Sequence, residues 1–170
     1  QKILQNFKNS NASYFQKLEN IKYLDAAILL FATDKPVTKY YWHNINTPNS
    51  PFVVFLSLTS LIGCDRFKGK HIYYIGDYIP SDHPHMNIPE EDLAESWFKS
   101  LREMFPDFDP TSLLEKKVYR FKDAQHIVDV GFEDKIPEYQ TPCPEVYLCN
   151  FSQIYPMDRG TNYAVRDGFR

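Results

Sequence analysis

An almost uninterrupted apolar segment, Tyr23–Thr33, constrains the fold of this chain most strongly. The segment is followed by Asp34-Lys35-Pro36, a sequence typical of a turn, and its length suits a buried strand. Its longest purely apolar run, from Ala26 to Ala32, is far shorter than the roughly 20 residues that a membrane helix needs. We therefore expect a central strand in a folded domain and no membrane span.

Several further segments are rich in β-branched and aromatic residues, as strands are. The expected strands are residues 39–46 and 52–58, which should pair as a hairpin, residues 71–79, residues 117–130 as one long strand or two shorter ones, and residues 146–149. Gly76 lies inside the third of these segments, where it indicates a bulge or a close backbone approach.

The clearest helix signal follows Pro89, where acidic residues crowd the first turn. The apolar residues of this segment fall on one helix face: Leu93, Trp97, Phe98, Leu101 and Phe105. Helical spacing also marks the first 18 residues, with an interruption near Ser10 and Asn11, either of which can cap a second helix. Strands and helices without regular alternation predict an α+β fold, a mixed β-sheet with helices packed on one face.

Length, charge and composition exclude several classes of protein. The 170 residues correspond to about one domain, and a net charge of -3 gives no reason to expect nucleic acid as a partner. None of the six glycines is spaced as GxGxxG or as a P-loop, so a self-contained dinucleotide site is excluded. The three cysteines form no CxxC pair and no secretory signal is visible, so the cytoplasm is the expected location.

The histidines do not indicate a catalytic or metal site. Asp82-His83-Pro84-His85 offers possible metal ligands, but a proline-stiffened loop before the helix is the better interpretation, and no metal is expected. His43, His71 and His126 lie in strand-like segments, where a hydrogen-bonded structural histidine is the stronger hypothesis. No pattern of a serine or cysteine nucleophile is visible, so the catalytic residues are unknown.

Two other segments are candidate binding elements. Residues 40–46 combine large rings with amides, which is typical of a ligand wall, although ordinary packing at a sheet edge explains them equally well. Residues 155–165 form a turn running into a helix start, where exposed backbone N–H groups can hold an anion. The alternative is a surface helix that simply begins after a loop.

Both segments carry a resemblance to a known family. The sequence YPMDRGTNYAV at 155–165 resembles the C-terminal flavin-contacting motif of the FAD-dependent amine oxidase, protoporphyrinogen oxidase and phytoene desaturase superfamily. In that family a Pro-x-Asp-Arg-Gly-x-Asn-type turn leads into a helix. Tyr41-Trp42 with 44–46, and Tyr74 with Tyr78, are similar to the substrate-domain strands of the protoporphyrinogen-oxidase-like branch.

The resemblance implies a fragment of a two-domain flavoprotein, with a substrate-binding domain at 1–150, a C-terminal piece of the FAD-binding domain at 151–170, and an absent N-terminal FAD domain. It implies FAD contacts from Asp158, Arg159, Gly160, Thr161, Asn162, Tyr163 and Val165. It implies contacts with a small-molecule substrate from Tyr41, Trp42 and Asn44.

The implied function is the substrate-binding portion of an oxidoreductase that transfers a hydride from an organic substrate to flavin. The chain is expected to be inactive alone, with an exposed apolar face near the tail that could form a homodimer. Two alternatives stay open: a non-catalytic module that binds a small ligand, and a flavin-dependent enzyme similar to sugar mutases.

Overall fold

The computed structural model describes residues 11–169, which form two compact units. One unit contains residues 11–23 and 126–169, and the other contains residues 24–125. The helices are α1 (Ala12–Asn20), α2 (Leu58–Ile62), α3 (Glu90–Met104) and α4 (Thr161–Gly168). The strands are β1 (Tyr23–Thr33), β2 (Trp42–Asn44), β3 (Val54–Ser57), β4 (His71–Ile79) and β5 (Leu113–His126).

The five strands form one sheet in the order β2-β3-β4-β1-β5. Strand β1 pairs antiparallel with β4, β4 with β3, and β3 with β2. Strand β5 is also antiparallel to β1. The evidence is a hydrogen bond from the amide of Asp34, which follows β1, to the carbonyl of Ser112, which precedes β5. The expected α+β class is confirmed, and the sheet is antiparallel throughout rather than mixed.

Helix α3 covers one face of this sheet. Its apolar stripe includes Leu93, Trp97 and Leu101, all fully buried, while Glu90 and neighbouring acidic residues occupy its first turn. The stripe packs in one core with alternate residues of the central strands, among them Leu29, Phe31, Phe55, Tyr73 and Ile75. Large aromatic contacts therefore dominate the core of residues 24–125.

The predictions for the central strands and for α3 are confirmed, because β1 and β4 have the expected bounds and β2 pairs with β3 as a hairpin. The second hairpin strand is shorter than expected, since the chain turns into α2 at Leu58. Of the expected segment 117–130, residues 117–126 belong to a single strand that starts earlier, at Leu113, and ends at His126, while residues 127–130 lie beyond it.

Two local expectations are corrected by the structure. Of the two alternatives at Gly76, the bulge is excluded, because β4 pairs with β1 in unbroken register from Asp25 opposite Ile79 to Thr33 opposite His71. The strand expected at 146–149 is reduced to an isolated bridge between Gln140 and Tyr147.

Helix α1 organises the core of the unit formed by residues 11–23 and 126–169. Tyr14, Phe15 and Leu18 are buried there, and the Tyr14 hydroxyl donates to the Glu138 carbonyl at 3.1 Å. Asn11 stands at the N-terminus of α1 as expected, but its side chain accepts from the Ser13 hydroxyl instead of from a backbone amide. The earlier half of the expected broken helix lies outside the described residues. Within the described part of the chain, no helix has the length and apolar character of a membrane span.

Candidate functional site

The sheet face opposite α3 carries a cavity of about 660 Å³. Side chains alternate between the two faces along a strand. In β1 and β4, the residues that alternate with the core residues therefore point to this face. The cavity lining comes from every strand of the sheet and includes Ile28, Trp42, Asn44, Val54, Tyr78 and Phe121. All sixteen lining residues lie between Ala26 and Ala124, so the cavity belongs to one compact unit.

Trp42 and Asn44 project from the edge strand β2 into this cavity. The Trp42 indole Nε1 donates to the Asn44 Oδ1 at 2.8 Å, and 53% of the Trp42 surface is exposed. The structure therefore brings together two of the three residues expected to contact a substrate. Their contact with a ligand stays a prediction.

Tyr41 does not line the cavity. It precedes β2, where its carbonyl accepts the Ser57 amide at 2.8 Å and its ring meets Trp42 edge-on at a centroid distance of 6.1 Å. His43 lies on the α3 side of the sheet, where its ring packs against Phe55 and Phe105. The alternation of a strand thus divides the ring-rich segment between the two faces.

Gly76 leaves the floor of the cavity open. A Cβ atom at this position would lie 3.4 Å from the Val54 Cγ1 atom and 3.9 Å from the Ile28 Cγ1 atom, at the limit of normal contact. Any longer side chain on β4 here would project into the space above these two residues. The glycine in the strand was a sequence signal of this close approach, although it could not indicate which face was open.

Phe121 on β5 completes the wall and was missed by the sequence analysis. Its ring stacks on Tyr119 with an interplanar angle of 15°, and both rings are more than 40% exposed. The spacing of these rings by two residues in a strand-like segment was the available signal, since such residues share a face. Residues on one face of a regular strand are an even number of positions apart. Phe121 and Ala124 both line the cavity although they are three residues apart, so β5 contains one extra residue between them, as in a β-bulge.

Asp77 is the one residue with a carboxyl group in the cavity lining among the described residues. By alternation its carboxylate belongs to the α3 side, together with Tyr73 and Ile75, whose side chains are in the core. Burial raises the pKa of the Asp77 carboxyl, while a backbone hydrogen bond from Tyr78 and the nearby His83 act in the opposite direction. The open face itself is therefore apolar with amide groups at one edge.

The loop before α3 holds its histidines in structural contacts. The His83 Nδ1 accepts the His85 amide at 3.2 Å, and the His85 ring packs edge-on against Trp97. The Arg120 side chain donates to the backbone carbonyls of His85 and Ile88, at 2.7 Å each. Burial lowers the pKa of His85, and the charges of His83 and Arg120 add to this effect. No group of three potential metal ligands occurs within residues 11–169.

The expected FAD-contacting residues form the start of α4 and the turn before it, in the other unit. Gly160 precedes the helix with extended backbone, and its carbonyl accepts the amides of Tyr163 and Ala164 at 3.0 Å. The exposed side chains in this group are those of Asp158, Thr161, Asn162 and Val165, while Arg159, Gly160 and Tyr163 are half-buried. The first amides of the helix have no acceptor within it, so this exposed end can receive an anionic or carbonyl group.

Three solved structures share this fold. A candidate protoporphyrinogen oxidase from Exiguobacterium sp. 255-15 has a TM-score of 0.55 and 14% identity, over 71% of this chain and 27% of that one. An oxidoreductase from Methanosarcina mazei has a TM-score of 0.53 and 20% identity, over 82% of this chain and 32% of that one. Reduced UDP-galactopyranose mutase has a TM-score of 0.54 and 12% identity, over 71% of this chain and 26% of that one.

At these identities the likeness establishes the fold alone. This chain spans between about a quarter and a third of the length of each of the three structures. No family profile and no curated protein sequence matches the chain.

Proposed function

We propose that this chain is the substrate-binding portion of an FAD-dependent oxidoreductase related to amine oxidases and protoporphyrinogen oxidases. The observation that carries the proposal is the open apolar face of the sheet, where Trp42 and Asn44 line a cavity of about 660 Å³. A pocket of this size, mostly apolar and with few polar groups, is typical of a small-molecule site. The shared fold with an oxidase and an oxidoreductase supports the same assignment.

The residues at the start of α4 fit a flavin contact in two respects. The helix start is exposed at Thr161 and Asn162, so its amides are accessible. Gly160 has no side chain to cover the turn, and a helix start favours negative charge. In the proposed enzyme these amides, with Asp158 and Arg159 shaping the turn, would hold the pyrimidine edge of FAD.

The chemistry would be divided between cofactor and protein. Bound FAD would accept the hydride that the substrate loses. The sheet would supply orientation, with Trp42, Tyr78 and Phe121 excluding water from one side of the substrate and Asn44 holding a polar group. No residue of this chain is assigned as an acid, a base or a nucleophile.

The decisive experiment is to express the protein from its full reading frame and record the visible absorption spectrum after purification. We expect a yellow protein whose flavin is released by denaturation and identified as FAD. A correctly folded protein that carries no flavin, and takes up none when FAD is added, would contradict the proposal.

A non-catalytic binding module is the second candidate, because the cavity is complete within residues 24–125. Thermal shift of the 170-residue chain against a panel of lipids and metabolites tests it, since a module should be stabilised by its ligand without flavin. A flavin-dependent sugar rearrangement is a further alternative, and product analysis with and without an electron acceptor distinguishes it from net oxidation.

A further inference from the structure

We infer that the open sheet face takes an uncharged, flat, apolar molecule bearing a carbonyl-type acceptor, and that the Asn44 side-chain amide donates the hydrogen bond that orients it. This inference rests on the proposed function, because it names the substrate class of the same site. It comes from four features of the cavity: the orientation of one amide, the absence of charge, the arrangement of the rings and the small residues of the floor.

The hydrogen bond from Trp42 determines which group Asn44 offers to a ligand. An indole nitrogen can only donate, so the atom of Asn44 that lies 2.8 Å from Trp42 Nε1 must be the amide oxygen. The Asn44 Nδ2 group then points elsewhere, and it makes no hydrogen bond with any other part of the described chain. Asn44 is exposed in the cavity, so its free hydrogen-bonding group is a donor. A ligand that displaces water from this donor loses a hydrogen bond unless it offers an acceptor such as a ketone oxygen.

The same face selects against charged ligands. The described cavity lining contains no lysine, arginine or histidine, so a carboxylate or phosphate group would lose its hydration without a cationic partner. The Asp77 carboxylate belongs to the α3 side, so a cationic amine has no carboxylate partner on this face either. An uncharged ligand avoids both penalties.

The distribution of large and small side chains favours a flat molecule. The exposed rings of Trp42, Tyr78 and Phe121 stand around the cavity, each between 45% and 53% exposed. The floor between them includes Ala26 and Gly76, which add little height, beside the aliphatic side chains of Ile28 and Val54. A flat ring system can lie on this floor and contact the aromatic side chains, whose stacking geometry suits it.

The test uses the 170-residue chain labelled with ¹⁵N and three matched probes: 9-fluorenone, fluorene and 9-fluorenone-4-carboxylate. The chain has two tryptophans, so the spectrum contains two indole N–H signals. The Trp42 signal reports on the cavity, and the fully buried Trp97 is an internal reference. Trp42→Phe identifies which signal is which.

Two variants isolate the Asn44 donor. Asn44→Asp keeps an oxygen that accepts from Trp42 but removes the donor, so the Trp42 indole signal should stay near its original position. Asn46→Asp is the matched control, because it adds the same charge to another residue of the same cavity lining.

We expect 9-fluorenone to shift the Trp42 signal and to bind about 5- to 10-fold more tightly than fluorene, since a hydrogen bond is gained. Asn44→Asp should weaken fluorenone binding by at least about 5-fold and leave fluorene almost unaffected, while Asn46→Asp should have a much smaller effect. The carboxylate probe should bind more weakly than the neutral ketone.

Three results would overturn the inference in different ways. Equal affinity for fluorenone and fluorene, unchanged by Asn44→Asp, would show that the site does not recognise an acceptor, although the face would still be a ligand site. If 9-fluorenone-4-carboxylate bound as tightly as 9-fluorenone, the claimed preference for uncharged molecules would be wrong. If no probe moved the Trp42 signal, the whole inference would fail, while the proposed function would still be decided by the flavin content of the full-length protein.

Discussion

The buried carboxylate of Asp25 accepts a hydrogen bond from the backbone amide of Asp123 at 2.9 Å. Asp123 adopts the left-handed region with φ of 53°, and its position explains why Phe121 and Ala124 reach the same face of the sheet. The side chain on β1 thus satisfies a backbone donor that the irregular part of β5 leaves without a regular partner.

This contact predicts the stability of two variants at Asp25. Asp25→Ala should lower the free energy of unfolding by about 1–3 kcal/mol, because the Asp123 amide loses its hydrogen bond to a carboxylate. Asp25→Asn keeps an acceptor and should cost less than about 1 kcal/mol. Urea denaturation of both variants measures the difference. An Asp25→Ala variant as stable as the natural chain would show that the contact does not contribute to the free energy of unfolding.

Gly76 should control the volume of the cavity. Gly76→Ala should fold normally and bind 9-fluorenone nearly as well, because its Cβ atom lies 3.4 Å from Val54 Cγ1 and needs only a small adjustment. Gly76→Leu should reduce binding at least about 10-fold, since its side chain occupies the space of the ligand. Equilibrium dialysis measures the affinity and circular dichroism checks the fold. Undiminished binding by a folded Gly76→Leu variant would exclude this floor from the site.

Trp42 and Tyr41 should differ sharply although they are neighbours in sequence. Trp42→Ala should weaken binding of 9-fluorenone about 10-fold or more, because an exposed ring of the cavity is lost. Tyr41→Ala should change the affinity by less than about 2-fold, since its ring is outside the cavity lining. Equilibrium dialysis of the two variants side by side makes the comparison, and equal losses would mean that Tyr41 also contacts the ligand.

The turn before α4 offers a test of the proposed flavin contact. In Gly160→Val the new Cβ atom would lie 2.6 Å from the Asn162 Oδ1 atom, so the Asn162 side chain must move at the helix start. In the full-length protein we expect weaker retention of FAD during gel filtration. Gly168→Val is the matched control on the same helix, because no atom lies within 4 Å of its new Cβ. Equal retention of FAD by both variants would remove this turn from the cofactor site.

Stability should fall in mildly acidic solution because of two histidines. Burial lowers the pKa of His85 and of His126 below the ordinary value of 6.5, so the unfolded chain binds protons more readily than the folded one. Their contribution is present above pH 6.5 and is lost progressively as the pH falls below that value. Asp77 acts in the opposite sense at lower pH, because burial raises its pKa above 3.8.

His85→Gln and His126→Gln should each flatten the dependence of thermal stability on pH between about 7.5 and 5.5, the range around the histidine pKa. Melting temperatures across this range measure the slope. We also expect the variant that carries both substitutions to show the flattest dependence. If its melting temperature depended on pH as steeply as that of the natural chain, other groups would be responsible for the pH dependence.

The strands β1 and β4 and the helix α3 could be predicted because their signals are local. Apolar residues fill 23–33 and 71–79 up to turn-forming residues, and the helical spacing from Leu93 to Leu101 has one compatible structure. The expected edge strand at 39–46 is only three residues long, Trp42–Asn44, because its length depends on pairing with β3. Local propensity does not contain that information.

The sequence by itself determined the class of fold, the presence of an aromatic strand with amides, and the helix start after Gly160. Tertiary structure decided which face of the sheet α3 covers, and hence that Trp42 and Asn44 line a cavity while Tyr41 does not. It also decided that Phe121 joins them from the far edge of the sheet. The physical reason is that alternation along a strand assigns residues to two faces, whereas only the packing of distant elements determines which face is buried and which is open.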